Sequence, residues 1–358
     1  MIKLGLPQKL PVNVDKALFA EELANAALEL GRLDGLHRHL PNPDILIAPL
    51  LAATEATVSS KIEGTISTVA NVLRFEATGE VTDNATREVA NYKRAMQYAI
   101  EGLKDRPLNS SFIKTLHQIL LAGTRGDKGR GDFRKGQVWI GVEKRPIEQA
   151  RYIPPDSVLI PEYMENLEQY ILTDDLHPLI KIGIIHYQFE AIHPFPDGNG
   201  RIGRLIIPLY LYWKKLITQP IFYISGYFDK NRDEYISHLN AVDLTNKYED
   251  WLRFFLLSVQ VQAKETQGII NKIAQLKTEI DKLVEKIKSP YAHKIVNLIF
   301  SNPFFVSADA IKTLDIEPRT CRRLFISFKE LNIIREIKTA KKKGKAYIFP
   351  RLIKLISY

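Results

Sequence analysis

The chain has 358 residues, 45% apolar and 25% charged, enough to fill the cores of two or three ordinary domains. No run of about 18 consecutive apolar residues occurs and the opening MIKLGLPQKLP has no apolar stretch, so a membrane-spanning or secreted protein is not expected and a cytoplasmic one is. The single cysteine, Cys321, excludes an internal disulfide and gives no support to redox chemistry; in its helical pattern it reads as a small buried residue.

Along the chain, Pro43 and Asp44 open a helical pattern carrying Ile47, Leu50, Leu51 and Thr54, which runs through Ser59, Ile62 and Glu63 until Gly64 stops it; the pattern predicts a helix over about 44–64. Ser59 and Glu63 are four apart and share a face. Glu63 falls at the helix C-terminus, where the macrodipole disfavours a carboxylate, so a partner for it is expected. Farther on, Val138, Trp139, Ile140 and Val142 read as a short strand and Arg151, Tyr152 and Ile153 as its return, a β-hairpin over about 136–154 with its turn at 143–149. Asp174 and Asp175 then precede LHPLIKIGIIHYQFEAI, which reads as a buried helix with His186 as a core histidine. Ile202, Leu205, Ile206, Leu209 and Trp213 mark the next helix, with one apolar face and an interior Pro208.

Between these two helices lies HPFPDGNGRIGR, residues 193–204. Gly198, Asn199 and Gly200 stand where the second helix begins, and converging amides at a glycine-rich helix start make a cradle for anions, phosphate above all. Arg201 and Arg204 share a face of the first turns and oppose the macrodipole by about 0.3–1 kcal/mol each, which calls for an anionic partner. Asp197 is a hard oxygen ligand suited to magnesium, His193 can exchange protons near neutral pH, and Phe195 between two prolines anchors the loop. An Asn-Gly turn by itself signals a hairpin, but the flanks here have helical rather than alternating periodicity.

Over 262–289, Ile269, Ile273, Leu276, Ile280, Leu283 and Ile287 form a heptad seam that packs within the chain or pairs two subunits as a homodimer. The last segment, 290–358, holds 14 Lys+Arg and 5 Asp+Glu, a net of +9 that equals the charge of the whole chain. Helices are predicted at 291–300, 307–314 and about 318–331, and strands at 333–337 and 346–349, around Lys341, Lys342, Lys343 and Lys345. The pattern resembles a winged-helix domain. DNA would then meet Arg319, Arg322, Arg323 and Lys329 on the third helix; protein-binding and dimerising uses of such domains stay open.

Residues 193–204 resemble the signature of Fic-domain proteins, histidine-x-phenylalanine-x-acidic-Gly-Asn-Gly-Arg-x-x-Arg, at every defined position. The resemblance implies transfer of AMP from ATP to a Ser, Thr or Tyr hydroxyl of a target protein, self-modification included. It makes His193 the general base and Asp197 the magnesium ligand. Gly198, Asn199, Gly200, Arg201, Ile202, Gly203 and Arg204 become the phosphate-binding segment, with Tyr227, Arg232 and Tyr235 toward the nucleobase. Ser59-x-x-x-Glu63-Gly64 looks like the inhibitory motif of Fic enzymes that carry their inhibitor ahead of the core, which implies a Glu63–Arg204 pair in the place of the ATP γ-phosphate. The hairpin would be the flap, with Val138, Trp139 and Ile140 aligning the target by strand addition. The expected architecture is mainly α: an N-terminal helical region (1–105), a Fic core with a flap (106–261), a linking heptad helix (262–289) and a basic winged-helix-like domain (290–358). A DNA-binding regulator using the core as a nucleotide sensor, removal of AMP, and a different donor nucleotide remain alternatives.

Overall fold

Helices supply almost the whole fold in the computed structural model, which describes residues 5–39, 43–80, 83–141, 146–338 and 344–357. The N-terminal part comprises α1 (Ala20–His39), the single turn α2 (Pro43–Leu46), α3 (Ala48–Ile62), α4 (Val69–Thr78) and α5 (Asn84–Gly102). Thr68 and Asp83 start the last two by accepting the N–H groups of Asn71 and Thr86, donors that a helix start leaves free. The helix expected over about 44–64 is thus two helices. It breaks at Ile47, because Pro49 has no N–H for the carbonyl four residues back. Its C-terminal end is where the sequence puts it, at Gly64 with φ +83°.

α6 (Ser110–Leu120) leads into a segment with no regular strand among its described residues, followed by α7 (Ile160–Leu172), α8 (Pro178–Ile192), α9 (Asn199–Trp213), α10 (Ser225–Lys230) and α11 (Arg232–Thr245). The expected hairpin is reduced to one antiparallel bridge, Ile140 with Tyr152, joined by hydrogen bonds of 2.8 and 3.1 Å. The next rung would pair Val138 with Pro154. Proline has no N–H to offer, and the Gln137 side-chain amide donates to both carbonyls in its place. Val142 and residues 143–145 lie outside the described residues.

α8 is buried from Leu179 through Phe189, Lys181 included, whose ammonium is held by Asp175 at 2.7 Å over the Tyr170 ring. α9 is buried on every side from Asn199 to Leu211, so the single apolar face expected of it is a full apolar surround. Both pack on α12 or its neighbours: Trp251 of α12 (Glu249–Val284) donates to the Gly183 carbonyl of α8 at 2.9 Å. α12 is one helix of 36 residues, so the expected boundary between core and linking helix at 261/262 falls inside it. Its buried seam is Ile270, Ile273, Leu276, Ile280 and Val284, and it is covered by α1 and the C-terminal helices of the same chain. Likewise no break in packing follows α5, which lies against both α6 and α9.

The C-terminal unit runs α13 (Ala292–Ser301), β1 (Phe304–Val306), α14 (Ser307–Leu314), α15 (Pro318–Glu330), β2 (Arg335–Ile337), β3 (Ala346–Ile348) and α16 (Pro350–Ile356). Its antiparallel sheet has the order β1-β3-β2, with Tyr347 opposite both Phe305 and Glu336. β1 and α16 were not legible as separate elements. Cys321 is fully buried on α15, and burial pushes its thiol up to about 11. Arg319, Arg322 and Arg323 are exposed, whereas Lys329 is half-buried and pairs with Glu336 at 2.7 Å, as does Lys345 at 3.2 Å. Lys341, Lys342 and Lys343 lie outside the described residues. Among those described, no helix is long and apolar enough to cross a membrane.

Leu205 is fully enclosed in α9. Leu205→Ala is expected to cost about 2–5 kcal/mol, read as a lower urea midpoint at unchanged slope.

Candidate active site

The turn between α8 and α9 is fixed from several directions at once. His193 caps α8 in the left-handed region (φ 49°, ψ 59°), a conformation that costs about 1–3 kcal/mol unless its surroundings impose it. Arg134 imposes it: its Nε donates to the His193 carbonyl at 2.9 Å and its backbone N–H to Pro194 at 2.9 Å, while the rest of the guanidinium reaches Gly136 and Pro155. Phe195 is fully buried and stacks on His117 with centroids 3.8 Å apart. Gly131 N–H donates to His117 Nδ1, so Nε2 carries the proton and donates to the Asp197 carbonyl at 2.8 Å. Burial holds this imidazole neutral, its pKa lowered to about 4. Asn199 closes the loop by exchanging two 2.8 Å hydrogen bonds with the Phe195 backbone.

Both signature arginines are buried, each about 1% exposed, and each has found a carboxylate. Arg201 donates to Glu88 of α5 at 3.0 Å and to Asp197 at 3.3 Å; Glu88 also accepts from Thr65 at 2.9 Å. Arg204 donates to Ser59 Oγ and to the Ser59 carbonyl, both at 2.9 Å, and to Glu63 Oε1 at 2.7 Å. Burial alone would raise the Glu63 pKa, but the Arg204 charge and hydrogen bond hold it below the usual range. The Glu63 carboxylate lies against Gly200 at the first turn of α9, where any side chain at position 200 would collide with it.

This corner opens on a cavity of about 360 Å3 whose wall includes Glu63, Glu190, His193, Gly200, Arg204 and Tyr235. His193 Nδ1 is 3.4 Å from the Glu190 carbonyl, which favours a proton there and a lone pair on Nε2. Burial lowers the His193 pKa to about 4, against a smaller upward pull from Glu63, so the ring is neutral at pH 7. Glu190 is shifted the opposite way, up to about 8, by burial and then by Glu63. Tyr235 hydrogen-bonds His186 Nε2 at 2.8 Å, which makes His186 a core histidine as expected.

Of the residues singled out in the sequence, His193, Glu63, Gly200, Arg204, Arg232, Tyr235 and Ile140 line the cavity. Gly198, Asn199, Ile202 and Gly203 lie outside the cavity wall. Gly198 takes φ +77°, the Ile202 N–H is spent on the Gly198 carbonyl at 3.0 Å, and Gly203 makes room for the Glu190 carboxyl. Tyr227 packs on Phe254, 5.7 Å between centroids, and Trp139 is 45% exposed beside a half-buried Val138, all outside the cavity wall. The residues that the sequence reading missed are Glu88, His117, Arg134 and Glu190. Only Glu190 left a signal, as a lone acid in an apolar helix three residues before His193. Among the described residues no cluster of three His, Cys, Asp or Glu could chelate a metal. Asp197, one-third exposed at the mouth of the turn, fits an ion such as magnesium that takes one protein carboxylate and leaves its other positions to water or phosphate.

Residues 20–101 match the profile described as Fic/DOC family N-terminal, and residues 107–211 the profile described as Fic/DOC family, together more than half of the chain. The chain belongs to the Fic/DOC family. A solved Fic family protein from Desulfovibrio desulfuricans, 21% identical, superposes with a TM-score of 0.61 over 96% of this chain and 98% of that one. A Fic domain containing signaling protein from Bacteroides thetaiotaomicron, 18% identical, gives 0.54 over 71% and 97%. Both share the Fic fold. Among curated relatives, a probable protein adenylyltransferase of Aquifex aeolicus is 28% identical over 141 residues, 39% of this chain and 38% of that protein. The protein adenylyltransferase Fic of Drosophila grimshawi is 28% identical over 196 residues, 53% of this chain and 36% of that one. The matched region spans little more than a third of the length of either relative.

In this Fic core Glu88 is, among the described residues, the only carboxylate bonded to Arg201 besides the one-third-exposed Asp197. Glu88→Ala is expected to destabilise the protein by about 3–5 kcal/mol, because it leaves a buried guanidinium short of its partner. Chemical denaturation measures this, and a loss under 1 kcal/mol would count against the pair as a structural anchor.

Proposed function

We propose that this protein is an autoinhibited protein adenylyltransferase that moves AMP from ATP to a Ser, Thr or Tyr hydroxyl of a target protein, itself included. The observation that carries the reading is the shared corner: a neutral imidazole and a buried arginine face one cavity, and that arginine is occupied by a glutamate from another helix. An anion-binding guanidinium plugged by an internal anion is what a site blocked against phosphate looks like.

His193 Nε2 accepts the proton of the target hydroxyl, whose oxygen attacks the α-phosphorus of ATP. A P–O bond forms to the hydroxyl oxygen, the P–O bond to the bridging oxygen breaks, and pyrophosphate leaves. Gly200 and the start of α9 offer close approach to phosphate oxygens, and Arg204 meets their charge once Glu63 has left it. Asp197 would hold magnesium, which supplies further neutralisation of phosphate charge. The segment around Ile140, held in place by its bridge to Tyr152, would be the edge along which an extended target segment adds as a strand.

The C-terminal unit is a separate reading. Its order of helix, strand, two helices and two strands ahead of α16 supports a winged-helix-like module, and the exposed Arg319, Arg322 and Arg323 on α15 favour duplex DNA as its partner. The start of α15 is already capped by Glu317, which accepts the N–H groups of Arg319 and Thr320, so phosphate contacts there come from the side chains.

With labelled ATP and magnesium, Glu63→Gly is expected to incorporate AMP between about 5 and 150 times faster than wild type. His193→Ala in the same background should lose on the order of 10²–10⁴ of that rate. Equal labelling by all three proteins would sink both roles. A pH series adds an independent check. The neutral imidazole is the working form and its pKa is depressed to about 4, so kcat/KM should rise with pH through the region near 4 and be flat from about pH 6 until Glu190 ionises near 8. A midpoint near the ordinary histidine value of about 6.5 would contradict the buried, neutral base.

A further inference from the structure

The turn at Glu63 and Gly64 is flanked by α3 before it and α4 after it, and both helices rest on the C-terminal unit. α16 packs against α3, α4 and α12, with Leu352, Ile353 and Ile356 buried. The Ile356 carbonyl, one of the last that a helix leaves without an internal donor, accepts Thr54 Oγ1 of α3 at 3.0 Å. Arg351 ties α16 to Glu279 of α12 with two hydrogen bonds, 2.8 and 2.6 Å. On the other flank β1 lies along α4, and Arg74 of α4 donates to the Lys338 carbonyl just past β2 at 3.4 Å.

α3 is therefore held on two sides. Toward the core, Glu55 accepts from Ser225 at 2.5 Å and Tyr92 at 3.3 Å. Toward the C-terminal unit, Thr54 and Val58 share with Ile356 a residual cavity of about 20 Å3, room for about one water. Thr54 and Glu63 are nine residues apart, about 13 Å along a continuous helix and its cap. A shift of about 1–2 Å, the scale on which packed helices move in regulatory transitions, is enough to break the 2.7 Å contact between Glu63 and Arg204.

We propose that the C-terminal unit is a clamp on the inhibitory turn: α16 and β1 hold α3 and α4 in the position that delivers Glu63 to Arg204, and detaching α16 releases the glutamate. The proposal rests on the reading of Glu63 as an internal inhibitor. It gives the C-terminal unit a task inside the molecule that is independent of what binds α15.

The test uses the full chain and three changes away from the cavity: Arg351→Ala, which frees a half-exposed ion pair without threatening the fold, Ile356→Ala, and Thr54→Val with Thr54→Ser as its conservative control. Each is made in wild type and in Glu63→Gly, with AMP incorporation and nucleotide affinity measured beside hydrogen exchange over residues 59–68. Ile356→Ala and Thr54→Val are expected to raise incorporation and affinity in wild type between about 5- and 150-fold and Arg351→Ala by up to about 5-fold, all three speeding exchange around Glu63. Thr54→Ser, which keeps the donor, stays at the wild-type rate. In Glu63→Gly none of them adds anything, because the inhibitor is already gone. The clamp is overturned if Glu63→Gly is activated while the three changes leave wild type as it was, or if they act equally in both backgrounds. If Glu63→Gly itself matches wild type in rate and affinity, the inhibitory reading fails first and takes the clamp with it.

Discussion

Two guanidiniums buried at the positive end of a helix set the terms for everything around them. Arg201 and Arg204 stand in the first turns of α9, where the macrodipole opposes a cation, and both have lost nearly all contact with water. Neither could remain there uncompensated, since an isolated buried charge costs several kcal/mol. The sequence answers with two glutamates from distant helices, Glu88 on α5 and Glu63 at the end of α3. The need to bring those carboxylates in is a reason that the N-terminal helices pack on α9 instead of forming a domain of their own.

The two pairs are built differently, and the difference has functional weight. Glu88 is enclosed, shares its carboxylate with Thr65, and sits within the second turn of α5, so it has nowhere to go. Glu63 keeps 37% of its side chain exposed and stands outside the last turn of α3, followed by a glycine in the left-handed region. Its remaining interactions could be replaced by any anion with oxygens in the same place. A permanent counter-ion and an exchangeable one thus stand side by side, three residues apart in the helix they serve. Where the cap of α3 sits is decided by what α3 rests on, which extends the reach of the C-terminal unit to the centre of the molecule.

What the sequence disclosed follows from how local each determinant is. The turn from His193 to Arg204 was legible because its parts are contiguous and few backbones accept such a run of glycine, proline and charge. The end of α3 was legible in Gly64. The break at Ile47 was less so, since Pro49 near a helix start reads equally well as a beginning or an interruption. Of the hairpin one bridge is formed among the described residues, because β-branched and aromatic residues at 138–142 give a strand pattern while Pro154, sixteen residues from its partner, lacks a donor for the next rung. Ile202 and Gly203 were grouped with the phosphate segment by adjacency, but once α9 forms the Ile202 N–H belongs to the helix ladder and its side chain to the core. The heptad seam had the right period but stands one residue off at both ends, because α1 and the C-terminal helices cover it from directions that a two-stranded pattern does not anticipate. Glu88, His117 and Arg134 act across 59 to 113 residues of chain, a distance over which spacing carries no information.

The cavity's electrostatics follow from the same burial that made those residues hard to read. His193 is pushed down to about 4 and Glu190 up to about 8, so near neutral pH an imidazole and a carboxyl that would ordinarily be partly or fully charged are both neutral. The charge that a ligand meets beside them is that of Arg204, balanced for the present by Glu63, with Arg151, Arg232 and Asp243 also in the wall. Removing Glu63 takes away one of the influences that keep Glu190 protonated, but a phosphate seated in its place carries the same sign and restores it. Glu190 can therefore stay a neutral acid through the exchange, adding a proton to donate where an ionised carboxylate would have repelled the incoming polyanion. The imidazole gains as well, since phosphate nearby favours its taking up a proton, and a proton is what the attacking hydroxyl has to give.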